Sequence, residues 1–339
     1  MLYFLKEKKD CTGCSACLNI CPIHCIKMVQ DEEGFNYPIA TNECINCKKC
    51  ELVCPIKSNF TELKPEIDQI SLAAISNNHD VWEKSSSGGA FTEICNAFGD
   101  DKTIVFGAKF KNFDVVHSYV QGVNHIDPFR KSKYVQSNIG TSFNDAKKFL
   151  ENGEKVIFSG TPCQIAGLKS FLKRDYKNLL TIDLICHGVG SPAVFKKATA
   201  YISKKYKSPL QEYSFREKKI FRKSIRLHIS KYNFYNKKNI LVERDEYNRL
   251  FLNQLCLRPS CGENCKFRTI NRMGDITIAD FKNLKKVFPQ VKDNRNYSTI
   301  IINTLKGEKI YDKLNERMNT LPCDIEHVKK YNPLLYKTT

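Results

Sequence analysis

The chain has no apolar run long enough to cross a bilayer, which takes about 18 or more residues, so no transmembrane helix is expected. Its start, Met1-Leu2-Tyr3-Phe4-Leu5-Lys6, lacks the long apolar segment and cleavage site of a secretory signal. There is no G-x-G-x-x-G, which leaves an ordinary dinucleotide site unsupported. Gly88-Gly89 does not lead into Gly-Lys-Ser/Thr, so there is no P-loop. Acidic residues are the minority, 36 against 54 Lys and Arg, for a net charge of +18. Residues 1–60 hold the two signs in equal number, whereas 201–250 carry fourteen basic and five acidic side chains. Such a field favours an anionic partner: an acidic electron carrier, a phosphorylated cofactor or nucleic acid. Within 201–250 the basic residues interleave with Phe215, Phe221, Tyr232, Phe234 and Tyr235. That alternation reads as strands with a buried aromatic face and a solvated basic one. A nucleic-acid surface, the other reading of the pattern, is not expected.

What the chain does have is cysteine, sixteen in all. Cys11, Cys14, Cys17 and Cys21 precede Pro22, and Cys44, Cys47, Cys50 and Cys54 precede Pro55. Both runs read C-x2-C-x2-C-x3-C-P, the spacing by which bacterial two-cluster ferredoxins hold 4Fe–4S cubanes, with each fourth cysteine reaching the other cluster. Cys11, Cys14, Cys17 and Cys54 are therefore expected on one cubane, and Cys44, Cys47, Cys50 and Cys21 on the other. Zinc motifs pair C-x2-C units across a longer gap, and disulfides need an oxidising compartment. Cysteine usage and the missing signal point to a reducing cytoplasm. Cys25 is read as a small buried apolar residue.

The expected fold class is mixed α/β (α+β). A small ferredoxin-like domain covers residues 1–60, with strands near Ile26–Val29 and Phe35–Ile39 and a helical turn after each fourth cysteine. Residues 61–69 form a linker. A larger mixed-sheet domain covers 70–339, where strands alternate with helices. Strands are expected at Ile70–Ser76, Thr103–Phe110, Val115–Val120, Lys155–Ser159, Leu179–Cys186, across 211–243 and at Asp275–Ala279. Helices are expected at Ala90–Phe98, Ser142–Glu151, Pro162–Leu172, from Ser191 and from Asp245. Thr299–Thr304 is expected as the last strand, before a helix at Gly307–Met318.

Three junctions before helices are rich in small residues: Ser85–Gly89, Ser159–Gln164 and His187–Pro192. Glycines and hydroxyls there leave backbone N–H groups free to face an anion, though each alone is an ordinary capped helix. Cubanes pass one electron at a time, and a flavin is the usual converter to two-electron chemistry. A further group, Cys256, Cys261 and Cys265 with Cys186, suits a third cubane, a zinc site or free thiols. Cys163 is a further ligand candidate or a helix-start thiol, and Cys95 and Cys323 are core residues. His187 is the candidate proton-handling group, against a structural histidine, and Lys133 a candidate charge partner for phosphate, against an exposed salt bridge.

At these residues the chain resembles the coenzyme F420 hydrogenase/dehydrogenase beta-subunit family, in the form with an N-terminal two-cluster ferredoxin. The resemblance rests on Ser85-Ser86-Ser87-Gly88-Gly89-Ala90-Phe91, Lys131-Ser132-Lys133-Tyr134-Val135-Gln136-Ser137, Phe158-Ser159-Gly160-Thr161-Pro162-Cys163-Gln164, Asp183-Leu184-Ile185-Cys186-His187-Gly188 and the Cys256–Asp280 segment. It implies an iron–sulfur flavoprotein oxidoreductase with FAD in the second domain, exchanging hydride with a small two-electron donor or acceptor. It implies single electrons passing through the clusters to a redox partner protein. Candidates to line the flavin are Ser86, Ser87, Gly88 and Gly89; Lys133, Tyr134, Gln136 and Ser137; and Gly160, Thr161, Pro162, Cys163 and Gln164. The resemblance also favours a cluster near Cys186 and the 256–265 loop. The rival readings are a flavin-free electron-transfer subunit of a larger redox complex and a nucleic-acid-binding iron–sulfur protein.

Overall fold

The computed structural model describes residues 1–57, 65–221, 224–262 and 265–336, with backbone alone at 219–221 and 224–228. The expected linker over 61–69 falls partly outside the described residues.

In the first sixty residues, strands β1 (Ile26–Gln30) and β2 (Asn36–Ala40) pair antiparallel. The short helices Ala16–Ile20 and Lys49–Leu52 precede Cys21 and Cys54, where helical turns after these cysteines were expected. The reason is local: Ser15 and Lys48 take left-handed backbone after the second cysteine of each run, which starts the helical turn early.

The remainder is built on one eight-stranded sheet. Its strands are β3 (Ile70–Ser76), β4 (Ile104–Lys111), β5 (Asp114–Gln121), β6 (Val156–Ser159), β7 (Leu179–Leu184), β11 (Ile276–Asp280), β12 (Ser298–Ile302) and β13 (Met318–Cys323). They lie in the order β13-β3-β12-β11-β7-β6-β4-β5, with β11, β7, β6 and β4 mutually parallel. A separate antiparallel sheet joins β8 (Leu210–Phe221), β9 (Ser224–Phe234) and β10 (Asn239–Glu243). The last strand of the chain is β13 rather than β12, and the expected helix over 307–318 is two short helices, Leu305–Glu308 and Tyr311–Arg317. β13 is an edge strand carrying Pro322, where a missing N–H costs nothing.

Alternation sends Ile104, Phe106, Val156 and Phe158 to one face, under the helices Ser142–Glu151 and Pro162–Leu172. Val105, Ile157, Leu180, Ile182, Ile276 and Ile300 go to the other, under Ala90–Phe98 and Tyr311–Arg317. Cys14, Ala16 and Val53 are buried in the first of these cores, so the cysteine-rich domain packs onto the sheet domain. Polar contacts complete that seam. Asn19 Nδ2 donates to Gly140 O at 2.8 Å, and Ser191 Oγ and Ala193 N both donate to Glu33 O. Gly167, in the middle of the helix Pro162–Leu172, is where Cys14 sits: a Cβ there would lie 3.0 Å from its Cβ and Sγ.

The turn before the helix Ala90–Phe98 is fixed by the sheet. Gly88 O accepts from Ser76 N, Gly88 N donates to Ser298 Oγ and Ser87 Oγ donates to Tyr297 O. A Cβ on Gly88 would lie 2.2 Å from Ala74 O and 2.5 Å from Ser298 N. Both are backbone atoms of a packed sheet and cannot yield. Gly88→Ala should therefore cost about 1–3 kcal/mol and lower the melting temperature by several degrees in a calorimetric scan.

Candidate functional site

The carboxyl ends of β3, β6, β7 and β11 open on one edge of the sheet, where open α/β folds place their ligands. Four cysteines meet there. Cys163 begins the helix after β6, Cys186 follows β7, and Cys261 and Cys265 come from the loop before β11. All four line one cavity with Thr12, Gln136, Thr161, Pro162, Gln164, Arg268 and Arg272. Burial pushes the Cys163 thiol well up, and the charges of Cys186, Cys265 and Cys261 push it further. Burial likewise holds Cys186 at about 12 and Cys261 at about 11. Such thiols stay protonated until a cation displaces the proton, as the iron of a cubane does.

Cys256 does not join them. It packs among Phe195, Tyr213, Tyr247 and Phe251 and offers its carbonyl to Ser191 N. The fourth cysteine at the cavity is Cys163, placed by a capping box in which Gln164 Oε1 accepts from Thr161 N at 2.9 Å. His187 does not line the cavity: its Nε2 is 3.1 Å from Phe251 O, which holds the ring as a structural group.

The N-terminal cysteines also fall into two groups. Burial raises Cys14 to about 12, with Cys54 and Cys11 adding to it, and Cys17 is raised by burial and then by Cys14, Cys11 and Cys54. Cys54 is thus brought to the first run. Burial and then Cys44 and Cys47 raise Cys50, and Cys21 Sγ lies 3.4 Å from Cys25 Sγ, which also contacts Cys44. The first group is inner, with Cys11 and Cys14 buried; the second reaches the surface at the exposed Cys47. No three His, Cys, Asp or Glu among the described residues stand close enough to hold a single metal ion, a convergence that the larger cage of a cubane does not require.

The segments expected at a flavin form one wall along this edge. Ser86 Oγ accepts from Ser132 N at 2.9 Å, and Gln164 Nε2 donates to Ser137 Oγ at 2.9 Å. Gln136 donates to Thr12 O. Lys133 folds back on its own loop, donating to Pro128 O and Arg130 O, and burial lowers its pKa to about 7. The ring of Tyr134 stacks on Phe251 with centroids 4.5 Å apart. Gly160 N is spent on Ile182 O.

Two groups on this wall were not expected. Arg216 is buried and pairs with Asp280 through Nη1, at 2.8 Å, while Nε and Nη2 make no well-aligned hydrogen bond; the Tyr134 hydroxyl is near enough to favour its charge. Lys218 donates to Ser87 O and lies 4.0 Å over the Trp82 ring, and burial lowers its pKa to about 7. The basic face of β8 is therefore partly turned inward. The register shift between Ser214 and Glu217 breaks the alternation, and two consecutive residues, Phe215 and Arg216, are both buried. Nothing in the alternation at Phe215 foretold that bulge.

Residues 153–326, just over half of the chain, match the family described as the C terminus of the coenzyme F420 hydrogenase/dehydrogenase beta subunit. The chain belongs to that family. Residues 10–58 match the 4Fe-4S dicluster domain. A 7Fe ferredoxin of Hydrogenibacillus schlegelii is 34% identical over 84 residues, which is 25% of this chain and 100% of the relative. An uncharacterized ferredoxin of Methanocaldococcus jannaschii is 35% identical over 49 residues, 14% of this chain and 64% of the relative. Among solved structures, a chain from the xenon-derivatized F420-reducing NiFe hydrogenase complex of Methanosarcina barkeri aligns at 19% identity with a TM-score of 0.49, covering 82% of this chain and 89% of that one. This beta-subunit family member is an iron–sulfur oxidoreductase whose N-terminal domain carries 4Fe–4S clusters. No helix among its described residues is long and apolar enough to cross a membrane.

The wall also contains a buried neutral histidine. His117 Nε2 lies 3.0 Å from Ser159 O, and since a carbonyl only accepts, that nitrogen carries the proton. Burial lowers its pKa to about 4, so the unfolded chain takes up a proton near pH 6.5 that the folded chain refuses. Stability should be intact above pH 6.5 and fall by ~3 kcal/mol as pH drops toward 4. The difference in melting temperature between wild type and His117→Asn across that range measures it; a constant difference would contradict the assignment.

Proposed function

We propose that this protein passes electrons between a small two-electron donor or acceptor, at an FAD, and a one-electron protein partner, through three cubanes. Residues 1–60 are the two-cubane domain, 61–69 the joint and 70–339 the flavin domain. The inner cubane takes Cys11, Cys14, Cys17 and Cys54, and the outer one Cys44, Cys47, Cys50 and Cys21. The third takes Cys163, Cys186, Cys261 and Cys265, and one observation carries this reading: those four cysteines line a single cavity together with Thr12, a residue of the inner loop.

When bound, FAD supplies the exchange between hydride and single electrons. Ser86, Ser132 and Tyr134 form the wall that receives it, with Arg216 as the fixed positive charge and Lys218 as a second donor beside it. Nε and Nη2 of the buried Arg216 have no well-aligned partner, and they fit a phosphate oxygen. Gln164 and Thr161 fix the turn that the flavin wall and the cysteine cavity share. The exposed rim of the outer cubane, where Ile45 is 61% and Leu52 73% exposed, is the surface offered to a redox partner. Such chemistry suits a reducing compartment, the cytoplasm.

Protein purified and reconstituted without oxygen should contain about twelve irons per chain, four for each cubane, and one FAD. Cys163→Ala should reduce this to about eight irons, and Cys256→Ala should leave about twelve. About eight irons and no flavin in the wild type would leave a ferredoxin-type conductor and overturn the flavoprotein reading. Arg216→Gln should weaken FAD retention about 10- to 100-fold in a flavin-release titration, the loss of one charge-assisted bond of about 1.5–3 kcal/mol.

A further inference from the structure

Arg258 is 1% exposed and heads the largest fully buried side chains among the described residues. Its guanidinium donates to Cys11 O at 2.8 Å, to Gln136 Oε1 at 2.7 Å and to Asn36 O at 3.0 Å. It lies 4.2 Å from the ring centroid of Tyr37. No carboxylate is within ion-pair distance among the described residues. The contrast with its neighbours is informative: the buried Arg272 is paired with Asp183 and the buried Arg216 with Asp280. Removing a cation from water without a counter-ion is expensive, so an unpaired guanidinium implies a negative group elsewhere that it serves.

The position of Arg258 names that group. Nε holds the carbonyl of Cys11, and a Cβ on Gly13 would lie 2.9 Å from Nη1, so the guanidinium packs on the Cys11–Cys14 loop. Arg258 O accepts from Cys261 N, which ties the same residue to the loop of the third cysteine group. A cubane with four thiolates is anionic and gains one further negative charge on reduction. Net charge, hydrogen bonding and exposure set its potential. Burial of Cys11 and Cys14 disfavours the more charged, reduced form; a fixed positive charge in the same low-dielectric seam favours it.

We propose that Arg258 is a positioning residue for electron transfer: its unneutralised charge raises the reduction potential of the inner cubane, whose loop its guanidinium holds. When that cubane takes one electron from its neighbour along the chain of clusters, the neighbour is oxidised by one and no bond is made or broken. The proposal rests on the cluster assignment above, and Gln136, which holds Nη1, is part of the device.

The test is a redox titration of the reconstituted full-length protein followed by electron paramagnetic resonance, with iron content measured on each sample. The outer cubane is identified by the signal that changes in Cys47→Ser. In Arg258→Gln the inner cubane should be harder to reduce. Its reduced-to-oxidised ratio at a fixed potential should fall at least tenfold, equivalent to about 59 mV for one electron. The outer cubane should be unmoved, and Arg258→Lys, which keeps the charge, should stay within threefold of wild type. Gln136→Glu sets a carboxylate against the guanidinium and should shift the inner cubane in the same direction as Arg258→Gln. It decides the matter if Arg258→Gln loses iron. A loaded Arg258→Gln or Gln136→Glu with wild-type potentials would overturn the proposal, as would an Arg258→Lys shifted as far as Arg258→Gln. Wild-type protein without a cubane at the inner set would overturn the cluster assignment instead, and the proposal with it.

Discussion

The helix Pro162–Leu172 belongs to both halves of the molecule, and the arrangement of the rest depends on it. Cys163 in its first turn lines the cavity at the sheet edge, and Gly167, four residues on, receives Cys14. Four residues of α-helix rise about 6 Å. That rise is fixed by the hydrogen bonds of the helix and by its burial against Phe143, Phe158 and Phe171. The spacing between Cys163 at the cavity and the point where Cys14 packs is therefore a property of rigid secondary structure.

Around this contact the two domains meet through hydrogen-bonded polar groups. Asn19 serves Gly140 and Asn144, Ser191 serves Glu33, and Gln136 and Arg258 serve the backbone of the first cysteine loop. Such a seam gives geometric specificity more than stability, because each group would be costly to bury unpaired. The wall of segments at the sheet edge shows the same economy. The serines and glycines that mark an anion site in the sequence are largely spent on the scaffold, and the cationic side chains Arg216 and Lys218 face the wall instead.

Most of the alternation of strands and helices was legible, because the elements are short and their apolar periods clean. Ile70–Ser76, Ala90–Phe98, Ser142–Glu151 and Pro162–Leu172 occur with the bounds their patterns predict. β13 was hidden, since Met318-Asn319-Thr320-Leu321-Pro322-Cys323 has neither alternation nor an uninterrupted apolar run and becomes a strand only by pairing with β3. Gly167 in a helix carries a propensity cost of about 1 kcal/mol that nothing local explains; its reason is Cys14, 153 positions earlier. The third cysteine group was half legible. A loop of three cysteines invited the inclusion of Cys256, but sequence spacing is blind to which side of a chain faces an aromatic core. The eight N-terminal cysteines stand out in the sequence because each run repeats a short local spacing.

The sheet has a consequence for the order in which the protein is made. β3, the first strand after the cysteine-rich domain, is held between β12 and β13, so the sheet stays open until the last strands have been synthesised. Cys11 and Cys14 leave the ribosome well before Gly167, Gln136 and Arg258, the residues that will cover their loop. N-terminal domains fold first during synthesis. The inner cysteine loop is thus uncovered until those residues and the later strands have been made. A molecule whose sheet closed over an empty inner loop would have buried Cys11 and Cys14 behind its own scaffold.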